Sequence, residues 1–167
     1  MHLKLVDRQE VIATAMENRV PQEDAELLSY FYNDPELISE ILADEDENDS
    51  YQAGKEAFLN FLEELQKDDP REVVYFTQTN IIPLVKTKES ARFFIDMLTQ
   101  GFKDVLTIQN GDTPILQSYA TILNKLANKL DDVQGILIEL LKDRNIINLN
   151  VNVSLLIDHL VLHIIKE

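Results

Sequence analysis

Three times in this sequence a side chain able to cap a helix stands directly before proline, at Asp34-Pro35, Asp69-Pro70 and Thr113-Pro114. An aspartate or threonine in that place accepts from the orphan amides of a first helical turn, and proline at the first helical position forfeits no needed donor. After each of these starts, and through nearly every other segment, apolar residues recur at steps of three and four, the period of a helix with one buried face. The spacing predicts an all-α protein.

The first helix is expected from about Val6 to Asn18, with Ile12, Ala13 and Met16 inward, and ends before Val20-Pro21. A short second helix follows with Leu28, Phe31 and Tyr32 inward, and Asp34-Pro35 starts a third with Leu37, Ile38, Ile41 and Leu42 on its stripe. Residues 44–50, Asp-Glu-Asp-Glu-Asn-Asp-Ser, offer nothing apolar to bury. They read as a solvated linker that divides a small helical unit, 1–47, from a helical bundle, 48–167. In the bundle, Ala57 to Leu65 define a fourth helix, Asp69-Pro70 starts a fifth that Pro83 ends, and the longest spans about Lys88 to Ile108. Gly101 inside that longest helix predicts a close backbone contact, since glycine there costs about 1 kcal/mol relative to alanine. Asn110-Gly111-Asp112 reads as a turn before a seventh helix opened by Thr113-Pro114. Asp131 or Asp132 caps an eighth with Val133, Ile136, Leu137, Leu140 and Leu141 inward, and a last helix carries Leu156, Leu160 and Ile164. Val151 and Val153 alternate with Asn150 and Asn152, which leaves a short strand open as an alternative there.

The 167 residues suffice for one ordinary domain or two small ones, and 45% hydrophobic with 27% charged is a globular composition. The absence of cysteine excludes disulfides, thiolate metal sites and cysteine nucleophiles, and suggests a reducing, cytoplasmic setting. No apolar run reaches the roughly 18–20 residues of a membrane span. The formal net charge of −15 is uneven: residues 1–50 carry 3 basic and 14 acidic side chains, whereas residues 86–167 carry 9 and 10. A polyanion would be repelled by the first third, so direct DNA binding is disfavoured.

The motifs of catalysis are missing their parts. Gly54, Gly101, Gly111 and Gly135 are isolated, so no loop of converging amides can cradle a phosphate, and no nucleotide or other cofactor is expected. Asp44, Asp46 and Asn48 have the alternation of a calcium loop, but Asp49 stands where such a loop needs glycine and Lys55 where it needs glutamate. His159 and His163 fall on one face of a helix and could chelate zinc, yet Leu160 occupies the place of a zinc hydrolase's glutamate and no third ligand is adjacent. No serine lies in a glycine-flanked nucleophile turn. The phenylalanines read as core, with Phe93 set apart: beside Phe94 it cannot share the same inward direction, and it is a candidate for packing on another domain or subunit.

At FFIDMLTQGFKDVL (Phe93 to Leu106) and LNVNVSLLIDHLVLHI (Leu149 to Ile164) the chain resembles the carboxy-terminal part of the delta-prime subunits of bacterial DNA polymerase III clamp loaders. The family's basic-aspartate-apolar step on a long collar helix is matched by Lys103-Asp104-Val105, and its Asn-x-Asn before the last helix by Asn150 and Asn152. Asp158 stands where that helix usually carries glutamate. The resemblance implies a small helical lid over 1–47 and a helical collar over 48–167. It also implies Lys103, Asp104, Asn150, Asn152 and Asp158, beside Phe93, as collar-organising or partner-binding residues rather than catalytic ones. The implied partners are the collars of the tau/gamma and delta subunits, with the sliding clamp reached indirectly and its loading on primed DNA as the outcome. The family's amino-terminal ATPase-fold domain has no counterpart in this sequence, so the chain is expected to be a non-catalytic carboxy-terminal fragment of a subunit of the polymerase holoenzyme. An unrelated acidic helical adaptor that binds a basic partner is the alternative.

Overall fold

A computed structural model describes residues 7–147, 149 and 151–165. The described residues are all-helical. In chain order they form α1 (Arg8–Glu17), α2 (Gln22–Leu28), α3 (Pro35–Ala43), α4 (Glu45–Glu64), α5 (Pro70–Phe76), α6 (Lys88–Gln109), α7 (Ala120–Lys129), α8 (Val133–Ile146) and α9 (Val153–Ile165).

The centre is α6. Thr87 and Ser90 form a reciprocal capping box at its start, and its buried residues run from Ser90 through Phe94, Leu98 and Phe102 to Val105. It packs chiefly against α4, α7 and α8, while α9 lies on α8 and on α5. Two glycines set its distance from α4. A Cβ on Gly54 would fall 2.7 Å from Phe93 Cβ, and one on Gly101 would meet the Phe58 ring at 3.1 Å. What approaches Gly101 is thus the Phe58 ring rather than the backbone expected there. Buried apolar residues from Val11 in α1 to Ile164 in α9 form one hydrophobic cluster.

The helix starts at Asp34-Pro35 and Asp69-Pro70 are as expected, with Asp34 Oδ1 accepting from Glu36 N and Asp69 Oδ1 from Arg71 N, each at 3.0 Å. Thr113-Pro114 is a correction. The chain there stays out of a helix, the amides of Ile115 and Leu116 being taken by the Asp104 carboxylate at 3.1 and 2.8 Å. A single 3-10 turn (Gln117–Tyr119) then leads into α7. The expected linker is a second correction: residues 45–50 are the first turns of α4, not a loop. Asp44 ends α3 and caps α4, its Oδ1 accepting from Glu47 N at 3.0 Å, and Glu45, Asp46 and Glu47 sit where the positive end of the helix dipole favours them. A run with no apolar side chain was thus the exposed beginning of a helix that is anchored one turn later by buried Tyr51.

Smaller differences follow from which flank of a helix meets the core. In α1 the buried set is Val11, Ile12 and Ala15, with Met16 exposed, and in α8 Leu141 faces outward. Leu37 of α3 is likewise exposed. Phe31 and Tyr32, expected on the second helix, lie beyond its end and are half-buried. The fifth helix runs into a π-helical turn, Thr77–Ile81, closed by Ile82 N donating to Thr77 O at 2.9 Å. No strand occurs among the described residues around Val151 and Val153, the latter being the first residue of α9.

Candidate association surface and polar network

Asp104 is 2% exposed on α6 and fully engaged: besides the two amides, Gln100 Nε2 donates to its Oδ1 at 2.9 Å. Burial raises its pKa, while the amides of Leu116 and Ile115, Gln100 and the charge of Arg8 pull the other way. Its task is to fasten the segment after α6 to the side of that helix. Neighbouring Lys103 is exposed, with Nζ 5.3 Å from the centroid of the Tyr30 ring, and Arg8 approaches the same ring at 5.8 Å. Arg8 also donates to Ser29 Oγ at 2.8 Å and to Gln100 Oε1 at 3.0 Å, tying α1 to α6. Phe93 packs edge-on against Phe31 and Tyr51, at centroid distances of 5.1 and 5.7 Å. Phe93, Lys103 and Asp104 therefore share the side of α6 that meets the amino-terminal helices and the loop after α6.

Asn152 is elsewhere, capping α9 through Oδ1, which accepts from Leu155 N at 3.2 Å. Asp158 is half-buried further along the same helix. Asn150 lies outside the described residues. The six residues do not converge: three are on α6 and two at α9, with α8 packed against both helices.

A buried ion-pair network joins the amino-terminal helices to the rest. Lys55 Nζ lies 2.7 Å from Glu23 Oε1 and 2.8 Å from Asp24 Oδ1, and Tyr51 Oη donates to Asp24 Oδ1 at 2.5 Å. Tyr119 Oη donates to Glu23 at 3.1 Å, and Ser118 N to Glu26 Oε1 at 2.9 Å. The hydrogen bond from Lys55 holds the Glu23 carboxyl below its ordinary range, and burial, with Asp24 alongside, drives the Tyr51 phenol far upward. Sequence reasoning missed this network. Its one legible trace is the pair Tyr51 and Lys55, one helical turn apart and facing the same way. One turn along α6 from Phe93, Arg144 of α8 pairs with Asp96, which is 1% exposed. Burial still raises the Asp96 pKa despite that partner. A cleft of about 620 Å³ lies nearby, floored by Phe31, Tyr32 and Phe93 and edged by Asp46, Arg92 and Arg144.

The exposed surface is uneven in a different way. Large apolar side chains exposed to solvent include Ile138, Leu141 and Ile146 on α8, Leu149 after it, and Leu155 and Leu162 on α9. Elsewhere only Met16, Leu37 and Tyr75 join them among the described residues. Leu155, His159 and Leu162 are spaced as one ridge of α9, opposite buried Ile157, Leu160 and Ile164. The hairpin of α8 and α9 thus buries an apolar face and exposes further large apolar side chains among polar ones. From the ridge, His159 Nε2 lies 3.2 Å from His163 Nε2, and Asp143 and Glu139 of α8 face the two imidazoles. Among the described residues, no three His, Asp or Glu side chains are arranged as they stand to hold a metal ion. No helix among them is long and apolar enough to cross a membrane.

Comparison with family models, with curated proteins and with solved structures finds no match for this chain.

Proposed function

We propose that the chain is a non-catalytic assembly module of a clamp-loader subunit of the delta-prime kind, with α1 to α3 as lid and α4 to α9 as collar. The observation that carries this reading is the concentration of exposed apolar side chains on the α8–α9 hairpin. A patch of that kind on a stable domain is a surface for another protein. The nearly neutral charge of residues 86–167, against the acidic first third, suits association through apolar contact with sister collars.

The residues of the resemblance fit roles of architecture. Asp104 fixes the loop after α6, Asn152 caps α9, and Lys103 covers an aromatic ring. None is offered to a reacting substrate in this reading. Association would hold the ATPase domains of the neighbouring subunits in their ring, from which the sliding clamp is opened and placed on primed DNA.

Co-elution tests the proposal. The chain mixed with purified tau/gamma or delta subunit is expected to run as a complex at physiological salt, and to run alone when mixed with duplex DNA. Migration alone beside both subunits, with capture of a basic partner in a salt-sensitive manner, would favour the acidic adaptor instead.

A further inference from the structure

His159 and His163 stand one turn apart on α9, and their Nε2 atoms approach to 3.2 Å. As neutral rings the two can share one hydrogen bond, an Nε2–H donating to the other Nε2, whereas with both protons on Nδ1 the two Nε2 lone pairs are free to take an ion. Two nitrogens that each bond zinc at about 2.0–2.1 Å in a tetrahedral site lie roughly 3.3–3.4 Å apart. The imidazoles already hold that spacing. We infer that His159 and His163 form a two-imidazole chelating site for a divalent transition ion of the zinc class, with Glu139 and water completing its shell.

The independent observation is Asp143. It is 1% exposed, and neither carboxylate oxygen has a hydrogen-bond partner. A buried carboxylate left so is costly, and a nearby group that answers it needs explaining. Asp143 Oδ1 lies 3.5 Å from His159 Nδ1, on the side of the ring away from His163. An ion on His159 Nε2 requires the tautomer with its proton on Nδ1 and makes that N–H a stronger donor, aimed at Asp143. This is the carboxylate–histidine–metal order in which outer carboxylates orient their ligands.

Glu139 is the third ligand in reach. Its Oε2 is 3.9 Å from His163 Nε2 and its other oxygen meets Lys142 at 3.3 Å, so the side chain must turn from that surface contact to close on the ion. With two ligands on α9 and one on α8, the ion would clip together the two helices that carry the exposed apolar ridge. Imidazole favours zinc, nickel, cobalt or copper over magnesium and calcium. An open shell with two preset ligands implies micromolar affinity rather than a structural cage.

The test uses the untagged chain, titrated calorimetrically with zinc chloride and, by visible absorption, with cobalt chloride. One zinc ion per chain is expected at micromolar Kd, with a rise in thermal midpoint as the ion is added. His159→Ala and His163→Ala should each weaken binding at least tenfold while circular dichroism stays helical. Glu139→Gln should weaken it several-fold, and Asp143→Asn about tenfold through His159 alone. Zinc affinity in the doubly substituted His159→Ala, His163→Ala chain equal to that of the unaltered chain would overturn the assignment. So would the absence of zinc binding at 100-fold above the expected micromolar range.

Discussion

At the scale of single residues, two helix ends share one backbone solution with unequal fit. After α1, Arg19 adopts a left-handed φ of 70°, with Arg19 N donating to Met16 O and Val20 N to Ala15 O, while Val20 and Ala15 are both buried. After α6, Gly111 takes φ of 85°, with Asp112 N donating to Thr107 O. Both are Schellman ends, in which glycine is at ease and a side chain is not. Arg19→Gly is therefore expected to stabilise the fold by about 0.5–1 kcal/mol, and Gly111→Ala to destabilise it by about 1 kcal/mol. Urea denaturation of the two variants beside the unaltered chain gives both signs. Glycine in the second position was visible in the sequence as a turn. Arg19 was not, because nothing in an arginine marks the rare conformation that the buried Val20 imposes on its neighbour.

At the scale of elements, α4 is where sequence reasoning and structure part. Hydrophobic period detects a helix only where a face is buried, and the first six residues of α4 are too polar to carry that signal. Their helix is set by Asp44, by acidic residues at a positive dipole end, and by Tyr51 further along. Asp44→Ala should lower stability by about 1 kcal/mol and speed amide exchange at Glu47 and Asn48, with little effect in α6. Exchange at those amides as fast as in an unfolded peptide before substitution would restore the linker. The long helix α6 was legible nearly to its ends because its apolar spacing is sustained over 22 residues. The start of α7 was not, since Thr113-Pro114 has the form of a helix start and only the distant Asp104 makes it a clamped loop. For the same reason the ion-pair network escaped: Glu23, Asp24, Lys55 and Tyr119 meet only once the helices have packed.

At the scale of the whole molecule, charge and burial act together. Burial raises the pKa of Asp96 and of Asp104, so the folded state keeps their protons to higher pH than the unfolded chain does. Stability from these two groups is full below the ordinary carboxylate value and falls as pH rises through their raised values. Glu23 has the opposite sign: its depressed pKa contributes stability above its ordinary value, lost only as pH falls below it. As pH falls toward the ordinary carboxylate range the Glu23 contribution stays intact while that of the two buried aspartates grows, so the thermal midpoint should rise over that interval on acidification. A midpoint that falls steadily over this interval would show that other groups dominate.

If the exposed side of the α8–α9 hairpin is a protein-binding surface, the ridge variant Leu155→Asp, Leu162→Asp should abolish that binding. Both side chains are largely exposed, at 67% and 47%, so replacing them should leave the helical fold and its melting nearly unchanged. Measured by co-elution with tau/gamma and delta subunits from about 50 to 300 mM salt, the unaltered chain is predicted to associate with little dependence on salt, as apolar contact requires. The variant, folded by circular dichroism, is predicted to elute alone. Equal association of variant and unaltered chain, or none by the unaltered chain with either subunit, would contradict the account.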